Sequence, residues 1–286
     1  MRERPQRVLA LLTRTNILCC LATWDLPIHL VVSERNDPAL QKLERVWSLL
    51  RCLCYRRADV VTANTEGVIQ SLSAMGRWRR LELLPNPLPS SLALNAITVE
   101  PGLRRKEVLA LARLQPQKGL DLLLRAFASM ALSSRQGWRL TLVGEGPERN
   151  SLERLCNDLE LKEVVCFEGF RSDPNTFFRR ASIFVLPSRF EGMPNALLEA
   201  MASGLPAVVS DASPGPLEMV HDGIEGLVVP SEDVNALALA LERLMSDSAL
   251  RERFGSASKA SLAALDWSVL DPVSYTHLTL PTSHIV

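Results

Sequence analysis

The chain has 286 residues, of which 47% are hydrophobic and 22% are charged, which is typical of a folded globular protein and excludes a mainly disordered one. Its 32 basic and 32 acidic side chains cancel, which argues against a nucleic-acid-binding protein, because such proteins carry a basic excess. Residues 1–100 contain 13 Lys and Arg against 9 Asp and Glu, an excess that suits an anionic partner or a solvated face equally well.

The first part of the chain predicts three strands and one long helix. The strands are expected at residues 8–12, 29–33 and 60–63, and the helix at residues 39–58. Apolar residues recur along this helix at spacings of three or four, namely Leu40, Leu43, Val46, Leu50 and Leu53. We expect this stripe to pack in the core, although the basic residues of the helix would also suit contact with anionic lipid.

Three prolines within LLPNPLP open the segment 85–106, which predicts a linker between a partial N-terminal domain, 1–84, and a C-terminal domain, 107–272. In the second domain strands and helices alternate, which predicts a parallel sheet covered on both faces. Such sheets bind ligands at the carboxyl ends of their strands. Strands are expected at 108–114, 139–143, 164–167, 183–187, 207–210 and 226–229, and helices at 121–132, 149–159, 174–180, 195–203, 216–220 and 234–245.

Several segments limit the kind of protein. The six cysteines form no CxxC pair, and no His stands at zinc-finger spacing, so free thiols in a reducing compartment are expected rather than a metal site. No apolar run approaches the roughly 18 residues of a membrane-spanning helix, and the N-terminus does not resemble a signal peptide. We therefore expect a cytoplasmic chain. Residues 273–286, rich in Ser, Thr and His, continue no element and are interpreted as a non-native tail.

Two cations follow the first strand of the second domain. Arg113 and Lys118 lie five residues apart, after a buried strand and before a helix. A loop in that position can bring both side chains to one anion, with the free amides of the helix adding positive potential. Two solvated surface cations would produce the same pattern.

The loop EGMPNALLE links another predicted strand to a predicted helix. Gly192 permits close approach of the backbone to a ligand, and amides near residues 193–196 would form an anion site. Glu199 lies inside the helix, about 12 Å beyond Glu191 at about 1.5 Å per residue. This separation suits a nucleotide sugar, which has hydroxyl groups at both ends and phosphate between them. The two glutamates also have a purely structural explanation. Glu191 would stabilise the helix dipole, and Glu199 would be a surface residue.

Residues 8–272 resemble the family 4 glycosyltransferases, which are retaining enzymes with the GT-B fold. Four ordered motifs carry the resemblance: ARLQPQKGLDLLLRAF, LTLVGEGPER, EGMPNALLEAMASGLPAVVSD and GPLEMVHDGIEGLVVPSED. The third contains the family signature of a Glu, seven residues and a second Glu, here Glu191 and Glu199. The resemblance implies an α/β protein of two Rossmann-like domains with parallel sheets. It also implies transfer of a sugar from a nucleotide donor, with UDP favoured, to a glycan or lipid-linked acceptor in cell-surface polysaccharide synthesis.

The resemblance also implies roles for individual residues. Arg113 and Lys118 would bind the donor diphosphate and stabilise it as a leaving group, while Glu191 would contact the donor sugar and Glu199 the ribose. Further donor contacts are implied for Gly144, Gly169, Phe170, Arg171, Gly192, Met193, Pro194, Asn195, Ala196 and Leu197, with Gly169-Phe170-Arg171 at the base. Since preplaced cations would stabilise the developing charge, we expect neither a metal ion nor a cofactor beyond the donor.

The first domain carries the loop SERNDP after the strand at 29–33. Arg35 and Asn36 are candidates for contact with the acceptor or its phosphate, and a structural turn would explain them equally well. Family members with this type of loop often act on lipid-linked or cell-surface glycans. Peripheral contact with an anionic membrane, at the inner face of the plasma membrane, is therefore a further hypothesis.

The N-terminal part departs from the family pattern. A Gly-rich loop of the GGAER kind and the expected His of the first domain have no match, and the helix that usually crosses back is not evident after Asp271. The sequence therefore predicts an incomplete first domain in a chain truncated at both ends. Two alternatives stay open: a fragment that binds a nucleotide sugar without turnover, and a GT-B enzyme of other chemistry, such as an epimerase or a phosphorylase.

Overall fold

The computed structural model describes residues 5–41, 43–86 and 104–262. Within these residues the strands form two separate parallel sheets, which confirms the predicted α/β class. Most of the predicted linker and the whole of the predicted tail lie outside the described residues. At the end of the predicted linker, Arg104 donates hydrogen bonds to the carbonyls of Ala181 and Ser203. This residue is therefore held against the C-terminal part of the structure.

The first sheet has the strand order β1-β2-β3-β4, with every neighbouring pair parallel. Its elements are β1 (Arg7–Leu11), α1 (Thr13–Ala22), β2 (His29–Glu34), α2 (Arg45–Cys54), β3 (Val60–Ala63), α3 (Glu66–Met75) and β4 (Leu81–Leu83). The three predicted strands are confirmed to within one residue. The apolar pattern missed α1 because this helix exposes Leu18 and Leu21 as well as burying Ile17 and Cys20.

The helix expected at 39–58 is shorter, and the core position expected for its apolar stripe is wrong for Leu40, Val46 and Leu53. Of the other two stripe residues, Leu50 packs against the core and Leu43 is half-buried. The α-helix begins at Arg45, and a 3-10 turn at Tyr55–Arg57 follows it. Arg51 and Cys54 occupy its buried side, at 3% and 2% exposure. The apolar residues left exposed in this segment are Leu40, Val46, Leu49 and Leu53. The inward side therefore shares Leu50 with the predicted stripe and is completed by Arg51 and Cys54.

The second sheet has the order β10-β9-β8-β5-β6-β7. Its strands are β5 (Glu107–Leu111), β6 (Arg139–Val143), β7 (Val165–Gly169), β8 (Ile183–Leu186), β9 (Ala207–Ser210) and β10 (Gly226–Val229). Its helices are α4 (Leu120–Ser129), α5 (Leu132–Arg135), α6 (Arg149–Asp158), α7 (Asn175–Arg180), α8 (Asn195–Ala202), α9 (Pro214–Leu217), α10 (Val234–Ser246) and α11 (Ser248–Ser261). All six predicted strands are present, although the one expected at 108–114 ends at Leu111. The helix predicted at 121–132 ends at Ser129, and the one predicted at 216–220 lies at Pro214–Leu217.

Both faces of the second sheet are buried. Val108 and Ala110 of β5 pack in one apolar cluster, whereas Leu109 between them packs in another. This alternation follows from the two-residue period of a strand, and burial on both sides is typical of parallel sheets. The covered sheet supports the loops at its carboxyl edge.

Candidate functional site

The chain enters the second sheet in its middle, at β5. From there β6 and β7 lie to one side, whereas β8, β9 and β10 lie to the other. The direction of winding therefore reverses between β5 and β8, and open α/β sheets bind ligands in the crevice at such a point. Arg113 and Lys118 follow β5, and Glu191 follows β8, so three of the predicted residues flank this crevice.

Lys118 and Glu191 form an ion pair across the crevice, with 2.5 Å between Nζ and Oε1. Glu191 is only 4% exposed, and the Ser188 hydroxyl donates to the same oxygen at 2.7 Å. The Glu191 amide donates to Ser213 Oγ at 2.8 Å. Buried carboxylates require such partners, so Glu191 is a fixed negative charge with a cation beside it and not a surface residue.

Arg189, which sequence reasoning missed, joins the loops on the two sides of the crevice. Its guanidinium pairs with Asp121 at 2.9 Å and with Glu232 at 2.8 Å. Burial alone would raise the pKa of the Asp121 carboxyl, but the hydrogen bonds and charge of Arg189 outweigh burial and lower it. Arg189 therefore positions the residues on either side of the Lys118–Glu191 pair.

Arg113 differs from Lys118 in its surroundings. Its side chain is exposed, and no ion pair of Arg113 occurs among the residues that the structure describes. Of the two predicted cations of this loop, Lys118 is therefore ion-paired, and Arg113 is exposed to solvent.

The β8–α8 loop (residues 187–194) is packed tightly between two backbone segments. A Cβ on Gly192 would lie 2.0 Å from the carbonyl oxygen of Arg35, and one on Gly215 would lie 1.7 Å from the carbonyl oxygen of Gly192. Contacts this short admit no side chain at either position. The predicted acceptor residues Arg35 and Asn36, which follow β2, therefore lie directly against this loop.

The predicted residues at the start of α8 differ in their exposure and in the partners of their amides. Asn195 is exposed, and Met193 and Pro194 are buried. The amides of Asn195 and Ala196 lie in the first helical turn, where the helix itself provides no acceptor. Leu197 instead packs its side chain in the core, and its amide donates to the carbonyl of Pro194 at 3.1 Å.

Glu199 lies one turn further along α8 and is partly buried. Burial raises the pKa of its carboxyl group above the ordinary value. Within the described part of the chain this carboxyl has no side-chain partner. It is therefore available to accept hydrogen bonds from the hydroxyl groups of a ligand.

The loops after β6 and β7 meet at the same edge of the sheet. The Gly144 amide donates to the Gly169 carbonyl at 2.9 Å, and a Cβ on Gly144 would lie 2.0 Å from the backbone of the loop after β5. Phe170 is 76% exposed, whereas Arg171 pairs with Glu168 at 2.7 Å. The loop thus presents an open aromatic ring beside a guanidinium that already has a partner.

Asn86 connects the first sheet to the β8–α8 loop, although the sequence placed it in a linker. Its Oδ1 accepts from Arg35 Nη1 at 2.5 Å. Its Nδ2 donates to the Met193 carbonyl at 3.0 Å and to Asn195 Oδ1 at 2.6 Å. A polar residue between two prolines was the only signal for it in the sequence.

Neither a metal cluster nor a membrane-spanning helix occurs in the described ranges. Among these residues no group of three or more His, Cys, Asp or Glu side chains could hold a metal ion. No helix within them is both long and apolar enough to cross a bilayer.

Residues 99–261 match the model of the family described as glycosyl transferases group 1. The chain belongs to this family. An exopolysaccharide phosphotransferase of Streptomyces coelicolor is 38% identical over 62% of this chain and 18% of its own length. The lipopolysaccharide core biosynthesis glycosyltransferase LpsE of Rhizobium meliloti is 30% identical over 73% of this chain and 60% of its own length. This glycosyltransferase chain thus spans less than two thirds of either relative.

The fold is also that of solved glycosyltransferases. The crystal structure of Anabaena HepE in complex with UDP and glucose aligns with a TM-score of 0.84 at 20% identity, over 96% of this chain and 78% of that one. This likeness, together with the two parallel sheets, confirms the predicted GT-B fold class.

Proposed function

We propose that this chain forms the donor site of a retaining, family 4 glycosyltransferase, which moves a sugar from a nucleoside diphosphate to a glycan or lipid-linked acceptor. The Lys118–Glu191 pair beside the start of α8 carries the proposal, because it combines a cation for phosphate with a fixed carboxylate for sugar hydroxyls. UDP is the favoured nucleotide, as in the HepE complex. The names of the two relatives support a role in cell-surface polysaccharide synthesis.

In the proposed reaction, the bond between the anomeric carbon and the diphosphate oxygen breaks, and negative charge grows on the diphosphate. Arg113, Lys118 and the first amides of α8 stabilise this charge, since preplaced donors need no reorganisation. The acceptor hydroxyl attacks from the face that the diphosphate leaves, and its proton passes to a diphosphate oxygen. The anomeric configuration is then retained. Cationic side chains, rather than a metal ion, act on the leaving group.

The two glutamates act at opposite ends of the donor. The hydrogen bonds of the Glu191 carboxylate within the described residues all use Oε1, so Oε2 is left to accept from a sugar hydroxyl. Glu199 accepts from the ribose hydroxyls. Glu191 orients the sugar in this scheme and does not form a covalent bond with it.

Calorimetric titration of the purified chain with UDP, GDP and ADP tests the donor assignment. Selective binding of UDP is expected. Binding of none of the three by a folded sample would contradict the proposal. Binding of UDP without turnover of any UDP-sugar would favour the alternative of a non-catalytic fragment.

The exposed face of α2 supports the further hypothesis of contact with an anionic membrane. Val46, Leu49 and Leu53 are 66%, 61% and 48% exposed, and Arg45 and Arg56 are exposed nearby. Exposed apolar residues flanked by cations suit an anionic lipid surface. In this proposal the protein lies at the inner face of the plasma membrane, close to a lipid-linked acceptor.

Co-sedimentation with vesicles tests this surface. Binding to phosphatidylglycerol vesicles is expected to exceed binding to phosphatidylcholine vesicles, and the double variant Val46→Ser/Leu49→Ser is expected to lose it. Leu132→Ser is the matched control, because Leu132 is 79% exposed on the other sheet's layer. Equal binding by both variants would contradict a role for α2.

A further inference from the structure

Asn86 lies three residues after β4 and is 9% exposed. Its side-chain oxygen accepts a hydrogen bond from Arg35, and its side-chain nitrogen donates to Met193 and Asn195. Its backbone amide also donates to Met193 Sδ at 3.1 Å. One short carboxamide therefore joins the residue that follows β2 to the residues at which α8 begins.

We propose that Asn86 is a positioning residue of the donor site, which holds the end of the β8–α8 loop and the first turn of α8 in their phosphate-binding arrangement. This inference rests on the proposed function. The bonds from Asn86 reach Met193 and Asn195, and the amides assigned to the diphosphate lie at the same turn. Amides stabilise a developing charge only when they are already aligned with it, so a loop released from Asn86 binds phosphate less well.

A separate contact between the two sheets shows that Asn86 is not needed merely to hold them together. The Glu218 carboxylate accepts from the amides of Glu66 and Gly67 at 3.0 and 2.8 Å. A Cβ on Gly67 would lie 2.3 Å from Pro214, so α3 and α9 also meet closely. This second contact does not involve Asn86, so we expect it to persist when Asn86 is changed. The loss expected at Asn86 is therefore one of loop position.

Because a carboxamide both accepts and donates hydrogen bonds, one substitution can remove its donor and keep its acceptor. Asn86→Asp has nearly the same shape and keeps an acceptor for Arg35. A carboxylate has no N–H group, however, so it cannot donate to the Met193 carbonyl and places a negative charge against it. The variant thus breaks the bond to the loop and preserves the bond to the first sheet.

The experiment compares the affinities of the full chain for UDP and for uridine, the first by calorimetry and the second by ligand-observed NMR titration. Asn86→Asp is expected to lower UDP affinity about fivefold or more, as for the loss of one or two hydrogen bonds, with uridine affinity unchanged within twofold. Asn235→Asp, the same charge change at an exposed position of α10, is the control and should leave both affinities unchanged.

A merely structural role for Asn86 would lower the affinities for UDP and uridine together, and that result would overturn the proposal. Unchanged UDP affinity in Asn86→Asp would overturn it as well. If this variant does not fold, Asn86→Ser, which is neutral and shorter, is expected to show the same selective loss of UDP affinity. A wild-type chain that binds neither ligand would instead contradict the proposed function.

Discussion

Replacing Glu191 by Gln is expected to lower stability while leaving UDP affinity intact or higher. Removing one partner of a buried ion pair costs about 3–5 kcal/mol. The Lys118 side chain is 18% exposed, however, and Gln can still accept a neutral hydrogen bond worth about 1 kcal/mol. We therefore expect the free energy of unfolding to fall by about 1–3 kcal/mol. Each kcal/mol should lower the unfolding temperature by roughly 2–4 °C.

The effect on UDP has the opposite direction because the substitution releases Lys118. In the wild type its ammonium lies 2.5 Å from Glu191 Oε1, and a diphosphate must compete with that carboxylate. Thermal unfolding and UDP calorimetry of Glu191→Gln measure both effects. Sugar transfer should fall nevertheless, since the carboxylate that orients the sugar is lost.

Glu232→Gln is a matched control for this prediction. Glu232 pairs with Arg189 at 2.8 Å but is 62% exposed, and exposed pairs contribute only about 0–1 kcal/mol. Equal unfolding temperatures for the two variants would refute the energetic argument for a buried pair. A tenfold loss of UDP affinity in Glu191→Gln would refute the view that Glu191 competes for Lys118.

Three further predictions concern the same edge of the sheet. Arg113→Ala should weaken UDP and pyrophosphate alike by about 1.5–3 kcal/mol, the value of a charged hydrogen bond, and unchanged affinity would remove Arg113 from the site. Burial raises the pKa of the Glu199 carboxyl group, so ionising this group costs more in the folded than in the unfolded chain. The free energy of unfolding therefore falls as the pH rises and the carboxyl group ionises. Glu199→Gln should therefore unfold at a higher temperature than the wild type at pH 7, with the difference shrinking toward about pH 4; a lower unfolding temperature at pH 7 would contradict this sign. Gly192→Ala would place a Cβ 2.0 Å from the Arg35 carbonyl oxygen, so we expect the loop to be displaced. Stability should fall by about 1–3 kcal/mol, and UDP binding should weaken. Wild-type values in thermal unfolding and in UDP calorimetry would contradict this and show that the loop moves freely.

The strands of the second sheet were predictable because each is a short apolar run bounded by turn residues. In a parallel sheet such runs are buried on both faces, so their composition alone identifies them. The apolar stripe predicted at 39–58 was wrong at Leu40, Val46 and Leu53 for a physical reason. Periodicity shows that a helix has an apolar face, but the buried side here holds Arg51, whose Nη2 donates to the Pro38 carbonyl at 3.4 Å. Which face turns inward depends on partners elsewhere in the chain.

By itself, the sequence determined the alternation of strands and helices in the second sheet and placed Arg113, Lys118 and Glu191 on loops at its carboxyl edge. These are local properties, set by neighbouring residues. Only the tertiary structure decided that Lys118 pairs with Glu191, 73 residues away, and that Asn86 bonds to Met193, 107 residues away. Such contacts depend on the order in which strands pack and on how the two sheets meet, and the spacing of residues along a chain carries no record of either.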